Sequence, residues 1–371
     1  MKRIAQVNLN DSGGAFALMY HVQKELREDV IFDYYTIHAF SDIETIRSIR
    51  EMKGKIMEDS AGSRLGAHLK LPFIFYKRMK KSRYEVIHIH SDTAWKLSMY
   101  AIPAKLAGIK KIIVHSHSSG INGDHQKLKY FCHCIMKPIL PFFADELVTC
   151  SKAAAEWMFP KKYQSRVCFI KNGVKTEKFR FTKENRKKYR EKLGVKDDEI
   201  LIGTVGDLSF PKNPYYLMEV FYALYRKDSR YKLIFIGDGE DASLVQQWAR
   251  EKIGYENLIF YGKTPDVGSL LSAMDFYLMP SRFEGFPVSA VEAQVNGLPC
   301  ILSDYITREV RMSDNCVFWS IEEKPDEWAD RLYQWKSGFN EEMRQGGYQT
   351  ALEQDLDISR TAERILQLYN V

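Results

Sequence analysis

The chain alternates short apolar segments with longer amphipathic ones along most of its length. Residues 2–9 and 84–90 are typical of strands, and residues 15–27 and 93–107 are typical of the helices that follow them. The alternation starts again at residue 200. Strands and helices that alternate in this way favour parallel sheets with helices on both faces. The sequence therefore predicts an α/β protein with two doubly wound, Rossmann-like halves.

The length of 371 residues also favours two domains over a single core. We expect an N-terminal domain over residues 1–174 and a C-terminal domain over residues 199–357. Residues 175–198 are interpreted as an interdomain segment, because the run FTKENRKKYREKLGVKDDE is highly charged and holds few large apolar side chains.

The composition is that of a soluble globular protein. Apolar residues make up 45% of the chain and charged residues 27%, and no apolar run of about 18 residues predicts a spanning helix. The apolar stretch in MKRIAQVNLN is too short for a signal peptide.

The six cysteines have no framework spacing, which is typical of reduced thiols in the cytoplasm. Cys132-His133-Cys134 lacks a second ligand pair, so no metal site is predicted there.

One stretch concentrates the mild net charge of +6. Residues 60–84 hold seven Lys or Arg and no acid, with apolar residues between them. This pattern is typical of a helix that contacts an anionic membrane surface. A solvated helix whose apolar face packs on its own domain is at least as good an interpretation. Nucleic-acid binding is not expected, because no base-reading motif accompanies the charge.

Ligands of open parallel sheets bind beyond the carboxyl ends of the strands, so the loops there are informative. Gly13-Gly14 follows the first predicted strand, and Gly237 and Gly239 follow another. Glycine lets a phosphate approach the backbone closely, and the helix behind the loop favours anions. A simple turn is the alternative for both. It is the interpretation we prefer for Gly237 and Gly239, since no acid follows the next strand to bind a ribose.

Two carboxylates lie around one predicted helix start in the second half. Glu284 follows a strand, and Glu292 lies inside the helix that begins near Pro287. Free N–H groups at this helix start favour phosphate or sugar oxygens. Glu292 lies among apolar residues, where an idle carboxylate would be costly to bury. The alternative is a pair of solvated glutamates.

Histidines end two predicted strands of the first half. His115 and His117 close one strand, and we interpret their side chains as pointing to opposite sides of the sheet. His88 and His90 close the strand expected beside it. Structural and catalytic roles are both open for these residues.

The stretch EGFPVSAVEAQVNGLPCILSD, residues 284–304, resembles the E-x7-E signature of family 4 glycosyltransferases. These are retaining enzymes of the GT-B fold, in which two Rossmann-like domains face each other across a cleft. The resemblance implies that Glu284 faces the donor sugar and that Glu292 binds the ribose hydroxyls of the nucleotide. It also implies that the last helix, within residues 358–371, crosses back to the first, acceptor-side domain.

The loop GTVGDLSFPKN resembles the V-G-R-x…K-N loop of the same family, whose Arg and Lys neutralise the donor diphosphate. Lys212 and Asn213 match that pattern, whereas Asp207 stands where the family has arginine. Either another cation such as Arg282 replaces the missing arginine at the diphosphate, or binding of the donor is weakened or altered.

The resemblance implies catalytic roles for Glu284, Lys212 and His117, the last beside the reacting sugar with His115 as the alternative. Residues implied in donor binding are Gly13, Gly14, Asp207, Asn213, Gly262, Lys263, Arg282, Gly285, Phe286, Pro287, Val288 and Glu292. No metal and no cofactor are expected, because the nucleotide sugar is a co-substrate.

The expected activity is transfer of a hexose from a nucleotide sugar, with UDP as the expected nucleotide, to a lipid-linked or polysaccharide acceptor. Such a protein would serve capsule or exopolysaccharide synthesis in the cytoplasm, at the inner face of the membrane. Other GT-B relatives are alternatives: an epimerase would need no acceptor, and a phosphorylase would need phosphate or pyridoxal phosphate. A non-catalytic scaffold is a further alternative, which Asp207 favours.

Overall fold

The computed structural model describes residues 1–11, 13–59, 65–121, 125–252, 257–335 and 342–370. The chain forms two compact units. The first comprises Met1–Gly173 together with the residues from Ile358 onward, and the second comprises Val174–Asp357. Each unit is built on one parallel sheet with helices packed on it, so the predicted α/β class is confirmed.

The strands of the first unit are β1 (Lys2–Val7), β2 (Val30–Thr36), β3 (Ile56–Glu58), β4 (Val86–Ser91), β5 (Lys111–Ser116), β6 (Glu146–Thr149) and β7 (Val167–Phe169). Its helices up to this point are α1 (Gly14–Glu25), α2 (Ile43–Glu51), α3 (Leu65–Lys81), α4 (Ala94–Ala107), α5 (Gln126–Met136) and α6 (Lys152–Met158). The sheet order is β3-β2-β1-β4-β5-β6-β7. The order reverses between β1 and β4, as in a Rossmann-like sheet.

The strands of the second unit are β8 (Ile200–Val205), β9 (Tyr231–Ile236), β10 (Leu258–Gly262), β11 (Phe276–Met279), β12 (Cys300–Ser303) and β13 (Cys316–Trp319). Its helices are α7 (Thr176–Phe179), α8 (Lys183–Leu193), α9 (Pro214–Lys227), α10 (Ala242–Lys252), α11 (Val267–Ala273), α12 (Val288–Val295), α13 (Pro325–Trp335) and α14 (Glu342–Glu353). The sheet order is β10-β9-β8-β11-β12-β13, which reverses between β8 and β11.

The last helix, α15 (Ile358–Leu368), belongs to the first unit. Alternate residues of the first sheet enter two separate apolar clusters, one on each face. α3, α4 and α6 cover one face, while α1, α2 and α15 cover the other. Ile358, Ile365 and Tyr369 are buried there among residues of β1 and β2. The end of the chain is thus part of the first unit's core.

The expectation that residues 175–198 form a segment between domains is wrong, because these residues fold as α7 and α8 of the second unit. The side chain of Arg190 is 6% exposed and contacts the Asp275 carboxylate at 3.1 Å. Arg186 contacts the same carboxylate at 2.6 Å, and the backbone N–H of Leu201 donates to it at 2.7 Å. The charged run does not indicate a linker, because Arg186 and Arg190 attach α8 to the sheet through Asp275 instead of facing solvent.

The basic helix α3 buries three of its described apolar side chains in its own unit. Leu71, Phe75 and Met79 recur every four residues and are buried in the first unit's core. Phe73 and Ile74 stay exposed, and Arg78 is paired with Asp59. Residues 60–64 of the predicted membrane-contact stretch lie outside the described part of the chain. Within that part, no helix has both the length and the apolar character needed to cross a bilayer.

We expect Asp275→Ala to destabilise the second unit by about 3–5 kcal/mol, because it leaves the buried Arg190 guanidinium without its carboxylate. Urea unfolding followed by tryptophan fluorescence, to which the buried Trp328 of the same unit contributes, would measure the loss. Asp314→Ala is the control, since Asp314 and its partner Arg311 are both well exposed, and it should change stability by less than about 0.5 kcal/mol. Equal losses in the two variants would contradict the role assigned to Asp275.

Candidate functional site

The candidate site of the second unit lies where its strand order reverses. β8 and β11 are neighbours in the sheet, and both run in the same direction. The loop after β8 leads through a short 3₁₀ turn, Phe210–Lys212, into α9. The loop after β11 leads into α12. Crevices of this kind, at the carboxyl ends of strands beside a reversal, are where open α/β sheets bind ligands.

Lys212 and Glu284 meet across these two loops. The Lys212 ammonium donates to the Glu284 carboxylate at 2.5 Å, and the side chains are only 28% and 15% exposed. Lys212 runs along Gly206, where an added Cβ would lie 3.3 Å from the lysine Cε. Gly206 also has a φ of +147°, which favours glycine. The pair therefore offers a half-buried cation and a carboxylate at one point of the sheet edge.

The glycines at 237 and 239 are explained by close packing of loops. A Cβ on Gly237 would lie 2.1 Å from the carbonyl oxygen of Gly206, and one on Gly239 would lie 2.3 Å from that of Leu208. The backbone N–H of Leu208 donates to Asp238 at 3.0 Å. The G-x-G sequence thus holds the loop after β9 against the loop after β8, as expected for a tight turn.

Ser281 is a candidate that sequence reasoning missed. Its side chain is fully buried, and its hydroxyl has no hydrogen-bond partner among the described residues. It lines a small pocket together with Gly206, Asp207 and Lys212. A buried hydroxyl without a partner is costly, so a ligand oxygen or a water at this point would be stabilised. Its position directly after β11 was the available signal.

Asp207 precedes the 3₁₀ turn that carries Lys212, and Arg282 contacts that turn. Asp207 is exposed. The Arg282 guanidinium donates to the carbonyl of Phe210 at 2.6 Å and lies over the Phe210 ring at 4.4 Å. The backbone N–H of Arg282 donates to Pro211 at 2.8 Å. Arg282 is therefore attached to the same loop as Lys212.

Glu292 lies inside α12 and is partly buried. Its carboxylate has no hydrogen-bond or ion-pair partner among the residues that the structure describes. Burial raises its pKa to about 7, opposed by the positive charge of Lys178. A helical glutamate with this pKa changes charge near neutral pH, and its ionised form accepts stronger hydrogen bonds from hydroxyls than its protonated form does.

The remaining predicted residues of this unit lie around the same loops. Asn213 is buried at the start of α9 in a left-handed conformation, with φ +54°. Gly285, Phe286 and Pro287 are buried before α12, and Val288 is its first residue. Gly262, with φ +77°, ends β10, and the Lys263 side chain is exposed. α12 has no side-chain cap hydrogen bond at Pro287, and a helix N-terminus of this kind favours an anionic ligand.

The glycine loop of the first unit leads from β1 into α1. Gly13 stands before the helix with a φ of +83°, which requires glycine. An added Cβ on Gly13 or Gly14 would contact nothing within 4 Å, so the loop is open above both. Ser12 lies outside the described residues.

Four histidines, three of them buried and His117 half-buried, form a cluster on the sheet face covered by α1 and α15. The ring centroids of His115 and His117 are 4.1 Å apart and stacked, and those of His88 and His90 are also 4.1 Å apart. The expectation that His115 and His117 point to opposite sides is therefore wrong. Residues two positions apart on a strand share a face, and the pairing of His90 with His115 brings both pairs together.

One half of the cluster is ordered by the Gln6 amide. Its oxygen accepts from His90 Nε2 at 2.8 Å, so the His90 proton resides on Nε2. His90 Nδ1 must then accept from His117 Nε2, 2.9 Å away. His117 Nδ1 is left as a buried lone pair with no partner among the described residues.

The other half is ordered by Tyr369. Its hydroxyl accepts from the Gln6 amide nitrogen at 2.9 Å, which directs its own proton to His88 Nδ1, also 2.9 Å away. His88 Nε2 then donates to His115 Nδ1 at 3.2 Å. The His115 proton resides on Nε2, which has no partner among the described residues. The cluster thus presents one unpaired acceptor and one unpaired donor, the combination that a hydroxyl satisfies.

The cluster is neutral at physiological pH. Burial lowers the pKa of His88, His90 and His115 well below the ordinary value, and it lowers the pKa of His117 to about 4. Nitrogens of His88, His90 and His115 also lie within 4.8 Å of one another, a spacing compatible with a metal ion. The hydrogen bonds described above already use both ring nitrogens of His88 and His90 and Nδ1 of His115, so His115 Nε2 is the one nitrogen of these three described rings that is open to a ligand.

Comparisons with known proteins were made for the sequence and for the fold. The family model described as Glycosyltransferase Family 4 matches residues 35–178, and the one described as Glycosyl transferases group 1 matches residues 185–350. Together the two matches cover most of the chain.

Two relatives are similar along much of their length. A Bacillus subtilis (strain 168) protein named EpsF is 27% identical over 296 residues, covering 78% of this chain and 75% of that protein. An Escherichia coli protein named UDP-Gal:alpha-D-GlcNAc-diphosphoundecaprenol alpha-1,3-galactosyltransferase is 28% identical over 235 residues, covering 62% of this chain and 60% of that protein.

A crystal structure of Anabaena HepE in complex with UDP-glucose superposes with a TM-score of 0.76. It is 17% identical and the match covers 99% of each chain. A likeness at this identity shows the fold, and the predicted GT-B fold class is thereby confirmed.

The histidine cluster predicts a loss of stability in acid. Because the unfolded state binds protons below pH about 6.5 and the buried cluster does not, the free energy of unfolding should fall as the pH drops below that value. The slope should reach about 1.4 kcal/mol per pH unit for each histidine. Urea unfolding at several pH values, read by hydrogen exchange in β4 and β5, would measure it.

His115→Gln should reduce this slope by the contribution of about one proton. His125→Gln is the matched control, because the His125 side chain is already exposed in the folded protein. A slope that is the same in wild type and His115→Gln would mean that the cluster does not govern acid stability.

Proposed function

Because the chain belongs to the family 4 glycosyltransferases of the GT-B fold, we propose that it transfers a hexose from a UDP-sugar to a lipid-linked or polysaccharide acceptor. The product would be an intermediate of a cell-surface polysaccharide, made at the inner face of the membrane. The observation that carries the proposal is the Lys212–Glu284 pair at the strand-order reversal of the second unit. It joins a cation for the donor diphosphate to a carboxylate for the sugar hydroxyls.

Lys212 supplies the electrostatic part of the reaction. When the bond between the anomeric carbon and the diphosphate oxygen breaks, negative charge develops on the diphosphate. A half-buried ammonium already held in position opposes that charge without reorganising, a contribution of about 3–4 kcal/mol. The partial positive charge at the N-terminus of α12 also stabilises the negative charge that develops on the diphosphate. Arg282, attached to the same loop, supplies the cation that Asp207 does not.

Retention of the anomeric configuration follows if the acceptor oxygen attacks from the face that the diphosphate leaves. The new bond joins the acceptor oxygen to the anomeric carbon, and the acceptor proton passes to the departing diphosphate oxygen. Glu284 holds the sugar hydroxyls. No metal is needed in this scheme, because Lys212, Arg282 and backbone N–H groups stabilise the diphosphate.

The donor and acceptor classes draw on the relatives. HepE has been crystallised with UDP-glucose, and the name of the Escherichia coli relative assigns it a UDP-galactose donor and a diphosphoundecaprenol-linked acceptor. The Glu292 carboxylate, without a partner among the described residues, suits the two ribose hydroxyls of UDP. An epimerase or a non-catalytic scaffold would use the same donor residues and differ in its dependence on acceptor.

The test is an assay with UDP-glucose, UDP-galactose and UDP-N-acetylglucosamine, each with and without a polyprenyl-diphosphate-linked sugar. We expect one donor to be consumed only with acceptor, to give an α-linkage seen by NMR, and to be used equally well in EDTA. Change of the donor sugar without acceptor would identify an epimerase. Donor binding without turnover would identify a scaffold.

Lys212→Ala and Glu284→Ala should each lower turnover by about 10²-fold or more, because each removes a preorganised contact to the transition state. Steady-state kinetics would measure the loss, and circular dichroism would check the fold. Lys252→Ala, at an exposed position of α10, should keep wild-type turnover. Near-normal rates in both site variants would refute the assignment of this pair.

UDP-glucose should bind more tightly as the pH rises from 6 to 8, because Glu292, with its pKa raised to about 7, accepts stronger hydrogen bonds from ribose when it is ionised. Isothermal titration calorimetry would measure the dissociation constant. In Glu292→Gln, and with the 2′-deoxy analogue of the donor, the affinity should be lower and less dependent on pH. Unchanged pH dependence in Glu292→Gln would remove Glu292 from the ribose site.

A further inference from the structure

A group of large apolar side chains lies exposed on the first unit, in α5 and directly after it. Leu128, Phe131, Ile135, Ile139 and Phe142 are 62%, 61%, 47%, 36% and 67% exposed. We call these five residues the α5 patch. Single exposed apolar side chains are ordinary, but several that follow one another closely along the chain, three of them on one helix face, indicate an interaction surface.

The orientation of the patch is fixed by the opposite side of α5. Leu128, Phe131 and Ile135 recur at the spacing of one helix face, whereas His133 points the other way and is the buried residue of this helix. The backbone N–H of Ala94 donates to His133 Nδ1 at 3.1 Å, and His133 Nε2 donates to the carbonyl of Trp157, also at 3.1 Å. Its ring stacks on Trp157 with centroids 4.2 Å apart. The helix is thus anchored by polar contacts and directs its apolar face outward.

These contacts also account for Cys132-His133-Cys134. Both ring nitrogens of His133 have backbone partners, so the ring serves as an anchor for the helix rather than as a metal ligand.

The charges around the patch are mostly positive, with exposed Glu156 beside Lys137 as an acid at its edge. No acid occurs from residue 125 to residue 144, while Lys127, Lys129 and Lys137 lie within or just after α5. The ring of Phe142 lies 5.7 Å from the Lys162 ammonium. The side chains of Lys161, Lys162 and Arg166 are exposed after α6. An apolar face with a basic rim is complementary to a bilayer that carries anionic headgroups.

We propose that the α5 patch docks the protein on an anionic lipid bilayer. The five apolar side chains enter the headgroup region, and the surrounding lysines contact anionic headgroups. This surface differs from the predicted basic stretch at residues 60–84, since α3 exposes only Phe73 and Ile74 among its described large apolar side chains. α3 and α5 both pack against α4, so basic residues of α3 belong to the same helical layer.

A second copy of this chain is the competing occupant. A symmetric dimer brings the same surface of both copies together, so each patch would meet an equally basic rim. Repulsion between like charges disfavours that contact, whereas a layer of anionic headgroups neutralises the rim. The charge distribution therefore favours the bilayer.

The test is flotation of the full-length protein with vesicles of phosphatidylcholine alone or of phosphatidylcholine and phosphatidylglycerol. We expect the wild type to float with the anionic vesicles and less so at high salt. Leu128→Ser/Phe131→Ser should lower the binding constant at least about tenfold. Phe73→Ser/Ile74→Ser is the matched control in α3 and should bind nearly as well as wild type. Lys127→Glu/Lys162→Glu should lose binding mainly at low salt.

Three results would overturn the proposal. They are no flotation of the wild type with anionic vesicles, equal flotation of the wild type and the α5 double variant, or a wild-type dimer in sedimentation that becomes monomeric in that variant. Because the assay contains no sugar nucleotide, it can succeed or fail independently of the proposed glycosyl transfer.

Discussion

All strand pairs of both described sheets are parallel, and this direction decides where polar residues can collect. A parallel strand covered on both faces is apolar along its length, so polar groups accumulate in the loops at its carboxyl end. In the second unit this edge brings Lys212 and Glu284 together although they are 72 residues apart in the chain. The loops that follow β8 and β9 also meet at this edge. They pack backbone against backbone at Gly206 and Gly237, where a Cβ on Gly237 would clash. The candidate site therefore depends on the strand order, which places the loops after β8 and β11 side by side, as well as on the residues of the E-x7-E motif.

The sequence was sufficient for the features that depend on local periodicity. The strand and helix alternation, the helix that follows Pro287 and the stop at Gly297 appear as expected. The neighbours of Glu292 correctly indicated a carboxylate in apolar surroundings, and burial accordingly raises its pKa. These features depend on neighbours within a few residues, where a single sequence is informative.

Features that depend on distant partners could not be predicted. The charged run at residues 175–198 gave no sign that Asp275, far along the chain, would accept the charge of Arg190. Ser281 needed the packed loops around it before its buried hydroxyl became visible. The placement of His115 and His117 was a different error, since the two-residue period of a strand already assigns them to one face. The two-residue period does not predict that the histidines on this face contact Gln6 and Tyr369. Those contacts determine which ring nitrogen of each histidine carries the proton.

The first unit is closed by residues from both ends of the chain. Ile358, Ile365 and Tyr369 complete a core whose other members lie in the first half of the sequence. A ribosome adds about 5–20 residues per second from the N-terminus onward, so the second unit has its full sequence before the first does. During synthesis the α15 face of the first sheet, with its imidazoles, is still uncovered and hydrated while the second unit can already fold. The unit that begins translation first is the one that finishes folding last, and a nascent chain arrested before α15 presents that apolar face to chaperones.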